Sequence, residues 1–173
     1  MKRVIVALVA CLCLSSIAAS TQREWVTLRS PEGRFSIQFP KEPAQELKDV
    51  DYVVGKLTMY TASSSTITYM ASFADYPSEP GTDRQQLVLD ALRDSLASKL
   101  EAKVFDETKI SLNGNPGLEF RISKTLESGQ EVIYHWRAYL VGRRLYQVGA
   151  AYYKRDSQPR ELPKYFDSFQ LVN

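Results

Sequence analysis

Cysteine and histidine are almost missing from this chain. The cysteines are Cys11 and Cys13, and the single histidine is His135. One histidine cannot build a multi-histidine metal site. Two cysteines so close to the start offer no disulfide framework for the other 160 residues of a 173-residue chain. There is no Gly-x-Ser-x-Gly elbow to present a serine nucleophile. Internal repeats, low-complexity tracts and linker-like stretches are also lacking, which argues against a repeat array or a second domain.

The sequence has no apolar run of membrane-spanning length. The longest, Val4 to Leu14, falls short of the roughly 20 residues a bilayer requires. It follows the basic pair Lys2-Arg3 and precedes the small residues Ser15 to Ser20. That order predicts a secretory signal peptide over residues 1–20, with Ser16-Ile17-Ala18 or Ala18-Ala19-Ser20 at the cleavage site. Leu8-Val9-Ala10-Cys11 also resembles a bacterial lipobox. It offers a lipid anchor at Cys11, although only about seven apolar residues precede it.

An excess of charge of one sign is lacking too. The whole chain carries 22 basic and 20 acidic residues. Loss of Lys2 and Arg3 with the leader brings the remainder to zero. A neutral, exported chain is poorly suited to general nucleic-acid binding. The expected location is secreted or periplasmic, with membrane tethering if Cys11 is lipidated, and no transmembrane span after cleavage. Residues 21–173 are expected to form a single domain.

What is abundant is alternation. Over Gly117 to Tyr153 the period-two pattern predicts three consecutive antiparallel strands. Leu118, Phe120 and Ile122 share the first phase. Val132, Tyr134, Trp136, Ala138 and Leu140 share the second, and Tyr146, Val148, Ala150 and Tyr152 the third. These sets are expected to form one apolar sheet face needing a cover. Val141-Gly142-Arg143-Arg144 predicts a type II′ turn, because Gly142 can take a positive φ at the first central position. Phe35, Ile37 and Phe39 alternate in an earlier strand ended by Pro40. A strand pair about Gly55 is expected from Val50–Val54 and Lys56–Thr61, and further strands over Thr66–Ala74 and Val104–Leu112.

One long helix is expected from a Thr82/Gln85 capping box to about Ala102, with Val88, Leu89, Leu92, Leu96 and Leu100 in one stripe. A short helix is expected within Pro159–Ser168, followed by an extended tail at Phe169 and Leu171. Antiparallel strands with segregated helices define an α+β fold. The expectation is a central sheet of about seven strands flanked by helices, an α/β/α sandwich.

Several short segments, taken in order, carry a resemblance. They are Phe35-Ser36-Ile37-Gln38-Phe39-Pro40 after Trp25, Gly114-Asn115-Pro116-Gly117 after the long helix, Arg144-Leu145-Tyr146, and Phe166-Asp167-Ser168-Phe169-Gln170-Leu171. Together they resemble PsbP-like domains, a family that includes the photosystem II extrinsic protein and a Ran-binding relative of the same fold. The resemblance covers nearly all of residues 24–172 and points to a bacterial secreted branch. It implies a central antiparallel sheet between helices, and binding or accessory roles without a shared catalytic site. No residue here matches a family ligand motif.

The residues themselves designate no catalytic, cofactor-binding or metal site, and no cofactor. Asp49 and Asp51 share a strand face and could supply half of a calcium or magnesium site, but no EF-hand spacing accompanies them and a solvated strand end is the favoured account. Asp75, Glu79 and Asp83 read as loop polarity before a helix. Arg143, Arg144, Lys154 and Arg155, interleaved with Tyr146, make the C-terminal third locally basic. Arg and Tyr are enriched at interfaces, so these five residues are the candidate partner-binding surface; a charged edge that blocks aggregation is the alternative. The expected function is a non-enzymatic extracytoplasmic binding or accessory module acting through a protein or envelope partner. The alternative is a periplasmic carrier of a small ligand or divalent ion. A hydrolase centred on His135 is the least supported reading.

Overall fold

The computed structural model describes residues 24–49, 56–155 and 158–172. The predicted leader with Cys11 and Cys13, the expected strand over Val50–Val54, and Asp51 lie outside them.

Among the described residues, ten strands and two helices follow in the order β1 (Val26–Ser30), β2 (Phe35–Phe39), β3 (Ala44–Asp49), β4 (Lys56–Ser63), β5 (Ile67–Asp75), α1 (Gln85–Leu100), β6 (Lys103–Leu112), β7 (Asn115–Thr125), β8 (Glu131–Val141), β9 (Arg144–Tyr153), α2 (Leu162–Asp167) and β10 (Gln170–Leu171). Seven strands form one sheet in the order β3-β4-β5-β9-β8-β7-β6, and β1, β2 and β10 form a small second sheet. The pairings within both sheets are antiparallel. α1 carries the chain from β5 to the far edge, and the β6–β9 meander brings it back to pair with β5. This is the expected α+β architecture. α1 covers one face of the large sheet. The other cover is a mixed layer of α2 and the three-stranded sheet rather than helices alone.

The meander differs from expectation in one respect. Its apolar sets do not share a face. In the two-residue turn Val141 pairs with Arg144, so Tyr146 stands opposite Tyr139 and Val148 opposite Arg137. Leu118, Phe120, Ile122, Trp136, Ala138 and Leu140 lie under Leu89 and Leu92 of α1. Tyr146, Val148, Ala150 and Tyr152 lie on the opposite face, against Phe35, Ile37 and Phe39 of β2 and Leu162, Tyr165 and Phe166 of α2. A sheet covered on both faces buries both phases of its central strands. Hence β9 is buried at Leu145 as well as at Tyr146. Full burial of each such side chain contributes roughly 1.5–3 kcal/mol.

Gly142 has φ +57°, while Arg143 is absent from the positive-φ residues. That is the pattern expected of a type II′ turn. One other local expectation is corrected. α1 starts at Gln85 with Arg84 at its N-cap and no side-chain cap bond. The Thr82 capping box is not formed, because Gly81 to Arg84 makes a turn closed by Arg84 N donating to Gly81 O at 2.8 Å. Among the described residues, the strand paired with β4 is Ala44–Asp49, a segment to which the sequence assigned no strand. Its sequence, AQELKD, has little intrinsic strand preference. Edge pairing with β4 supplies what local propensity does not.

Buried hydroxyls tie the small sheet to the large one. Ser30 Oγ lies 3.1 Å from Tyr60 Oη. Tyr146 Oη donates to Gly33 O at 2.8 Å. On α2, Tyr165 Oη donates to Met70 O at 2.6 Å. Each satisfies a polar tip on an otherwise apolar anchor.

Candidate functional site

The most elaborate charged cluster at the molecular surface forms where β5 ends and the β8–β9 turn begins. Antiparallel register places Asp75 directly opposite Arg144. Arg144 grips the carboxylate with two bonds, Nε to Oδ1 at 2.6 Å and Nη2 to Oδ2 at 2.8 Å. Its third nitrogen, Nη1, donates to Glu32 O at 2.7 Å in the β1–β2 turn. The guanidinium also lies 4.9 Å from the Phe73 ring centroid. The paired guanidinium holds the Asp75 carboxyl below its ordinary range, and the carboxylate raises Arg144. A bidentate pair clamped this way is geometrically rigid.

Arg143 sits beside it at the turn apex. Nη1 donates to Tyr76 O at 3.0 Å and Nη2 reaches Asp75 Oδ2 at 3.4 Å. Those contacts use about two of the five N–H donors a guanidinium carries. The Arg143 side chain remains 55% exposed, against 19% for Arg144. Of the two, therefore, it is Arg143 that offers accessible charge.

Two clefts flank this pair and share Asp75, Arg143 and Arg144 as a wall. One, of about 540 Å³, extends past Lys56, Thr58 and Tyr76 toward Glu32. The other, of about 580 Å³, extends past Arg34, Val141 and Leu171. Both volumes fall in the range of small-ligand sites, roughly 300–1,000 Å³. Their rims carry Arg34, Lys56 and Arg143 with Glu32 among them.

The five residues expected to form one basic surface are divided. Arg143 and Arg144 stand at one end of β9, Lys154 and Arg155 beyond its other end. Ten residues of strand separate these ends by roughly 30 Å. Lys154 Nζ is held by Glu131 Oε2 at 2.8 Å. Arg155 is exposed. Tyr146 is 3% exposed, so its contribution is to the core and to the inner wall of one cleft. Asp49 ends β3. Among the described residues, no group of three or more His, Cys, Asp or Glu side chains comes together.

A second polar cluster lies on the face toward α2. His135 Nε2 donates to Glu119 Oε1 at 2.6 Å, and Arg137 Nε donates to Glu119 Oε2 at 2.9 Å. Arg137 Nη1 continues to Asp167 of α2 at 2.8 Å. The Phe166 ring lies 4.4 Å from the His135 ring and 5.0 Å from the Arg137 guanidinium. The His135 bond and the Arg137 charge pull the Glu119 carboxyl down to about 2. His135 is 2% exposed and bonded on one nitrogen, which gives it the geometry of a docking element for α2. In the sequence these residues read simply as the polar phase of two strands. A signal was available: an acid, a histidine and an arginine alternating on strands with an apolar opposite phase mark a second, polar-lined cover.

No family model and no curated protein matches the chain. Among solved structures, the solution structure of cyanobacterial PsbP (CyanoP) from Synechocystis sp. PCC 6803 aligns at TM-score 0.60 and 8% identity, covering 92% of this chain and 99% of that one. A protein from Bacteroides thetaiotaomicron VPI-5482 aligns at TM-score 0.49 and 14% identity over 85% of this chain, which spans 48% of that protein's length. A protein of unknown function from Pseudomonas aeruginosa aligns at TM-score 0.42 and 11% identity, over 80% of this chain and 86% of that one. The chain thus has a PsbP-like α+β fold. No helix among the described residues is long and apolar enough to cross a membrane.

Proposed function

We propose that this chain is a non-enzymatic extracytoplasmic accessory module of the PsbP-like family that engages an acidic segment of a protein or envelope partner at the Arg143 end of the sheet. The observation that carries this reading is the contrast between two adjacent arginines. Arg144 is consumed by Asp75 and Glu32, while Arg143 is half exposed on the wall shared by two clefts. The fixed Arg144–Asp75 fork preorganises the turn, so Arg143 is presented on a rigid element with little ordering cost on binding. Arg34 and Lys56 extend the favourable field on either side. The leader-like start of the sequence and the resemblance to PsbP-like domains support location and family; a shared fold alone does not carry a function.

The test is in-cell photocrosslinking from position 47, whose exposed side chain lines the cleft beside Arg143, in otherwise wild-type protein and in the Arg143→Glu and Lys154→Glu variants. The expected result is a defined crosslinked chain lost with Arg143→Glu and retained with Lys154→Glu. A crosslink indifferent to Arg143→Glu would refute the assignment of the surface.

The basic residues Arg34, Lys56 and Arg143 lining the two clefts favour one second reading, carriage of a small anionic ligand. Native mass spectrometry of the purified protein distinguishes it, since a bound small molecule displaced by Arg143→Glu would replace the partner reading.

A further inference from the structure

β6 is the long outer edge of the large sheet. It runs for ten residues, more than the five or six of an ordinary strand. On its inner side it pairs with β7, and among the described residues no strand pairs with its outer side. The seven residues 103–109 are exposed in succession. Val104 and Phe105 are 38% and 54% exposed, two of the five large apolar side chains left open among the described residues. An edge of this length without proline is a template for another strand.

The charges along β6 specify which strand. In an antiparallel pairing of two β6 copies with both α1 helices on the same face, opposed residues share a face, so the two-fold axis must pass through a residue. An axis through Asp106, Glu107 or Lys109 would set that charge against its own copy. An axis through Thr108 instead places Glu107 opposite Lys109 of the second copy and Lys109 opposite its Glu107. Asp106 then faces Ile110, and Thr108 faces Thr108. Threonine pairs and opposite charges are favourable cross-strand neighbours, whereas like charges directly opposite destabilise.

The surroundings permit this approach. α1 packs over β7 and β8, with its buried Leu89 and Leu92 among their residues, so the body of the helix stands back from the rim. The irregularity in β6 lies between Val104 and Asp106, on one side of the proposed axis. From α1, Arg93 reaches over to Glu107 and holds it on the helix-side face of the edge.

We propose that the protein self-associates into a two-fold dimer by antiparallel pairing of β6 with β6, in the register centred on Thr108, to give one continuous sheet. The partner at this edge is a second copy of this chain, and the surface is separate from the Arg143 end.

The test is sedimentation velocity over a dilution series for the wild type, Glu107→Lys, Lys109→Glu and the double reversal, with circular dichroism confirming that each is folded. Each single reversal converts two attractive pairs into repulsive ones and is expected to weaken the dimer about tenfold or more. The double reversal restores opposite charges and is expected to return the affinity toward that of the wild type. Under oxidising conditions Thr108→Cys should give a disulfide between the introduced thiols of the two copies, identified by peptide mass mapping, whereas Ser111→Cys should not crosslink to itself. A wild type that stays monomeric throughout, single reversals that dimerise like the wild type, or a double reversal that remains monomeric would each overturn the proposal.

Discussion

The indole of Trp136 lies across the backbone of Gly149, its directly paired residue on the neighbouring strand. A methyl group at position 149 would sit 2.3 Å from Cε3 and Cζ3 of that ring. The missing side chain therefore creates the slot in which the indole packs beneath α1.

Gly149→Ala is accordingly expected to destabilise the protein by about 2–3 kcal/mol, since an overfilled core must shift a large ring. Chemical denaturation should show a lower midpoint for this variant. The double change Gly149→Ala/Trp136→Leu should recover part of the loss. A midpoint equal to wild type for Gly149→Ala would show that the indole does not occupy this slot in solution.

The Arg144–Asp75 fork is a structural pair. Arg144→Ala leaves a partly buried carboxylate with only the longer Arg143 contact and frees the β1–β2 turn carbonyl of Glu32. The expected loss is about 2 kcal/mol, more than an exposed ion pair contributes. Arg143→Ala, by contrast, should change stability by less than about 0.5 kcal/mol. Thermal melts of the two variants check the contrast, and equal effects would contradict the assigned roles.

Acid should weaken the packing of α2. The Glu119 carboxyl has its pKa lowered from 4.5 to about 2. A depressed carboxyl stabilises the folded state above its unfolded value, and that contribution is lost as pH falls through the folded value. The window therefore runs from about pH 4.5 down to about pH 2. The contribution lost is about 2 kcal/mol, after allowance for water at the open rim of the cluster. Glu119→Gln should be less stable than wild type at neutral pH and should show a flatter acid limb in denaturation midpoints. An unchanged acid limb would remove Glu119 as its origin.

Glu101 closes α1 in a left-handed conformation, with φ 51° and ψ 46°. Its side chain is 82% exposed and reaches Lys124 at the surface. Relief of the backbone strain by Glu101→Gly should outweigh loss of that surface pair and stabilise the fold by roughly 0.5–1 kcal/mol. A lower melting temperature for this variant would show that the ion pair matters more than the backbone conformation.

Much of this architecture was legible in local patterns. Alternation at Phe35, Ile37 and Phe39, the apolar stripe of α1 and the turn at Gly142 each report a property of adjacent residues. The β6–β9 meander follows from their order, whereas the β5–β9 pairing that completes the seven-stranded sheet is long-range. The face assignment of β9 was present in the turn as well, because a two-residue loop sets each even-numbered residue of β8 opposite an odd-numbered residue of β9. Apolar residues in both phases concealed it.

The sequence by itself determined most of the segments that become strands and helices, because backbone preference and hydrophobic period act over a few residues; Ala44–Asp49 is a strand only through its pairing with β4. It also supplied the compositional limits: one histidine, no usable cysteine framework and a balanced charge. Tertiary structure alone decided which charges meet. Asp75 and Arg144 are 69 residues apart and Glu119 and His135 are 16 apart, so only strand pairing brings them together. The same pairing consumed Arg144, buried Tyr146 and sent Lys154 to the far end of β9. A run of like residues in sequence becomes a surface only when register and burial place its members side by side.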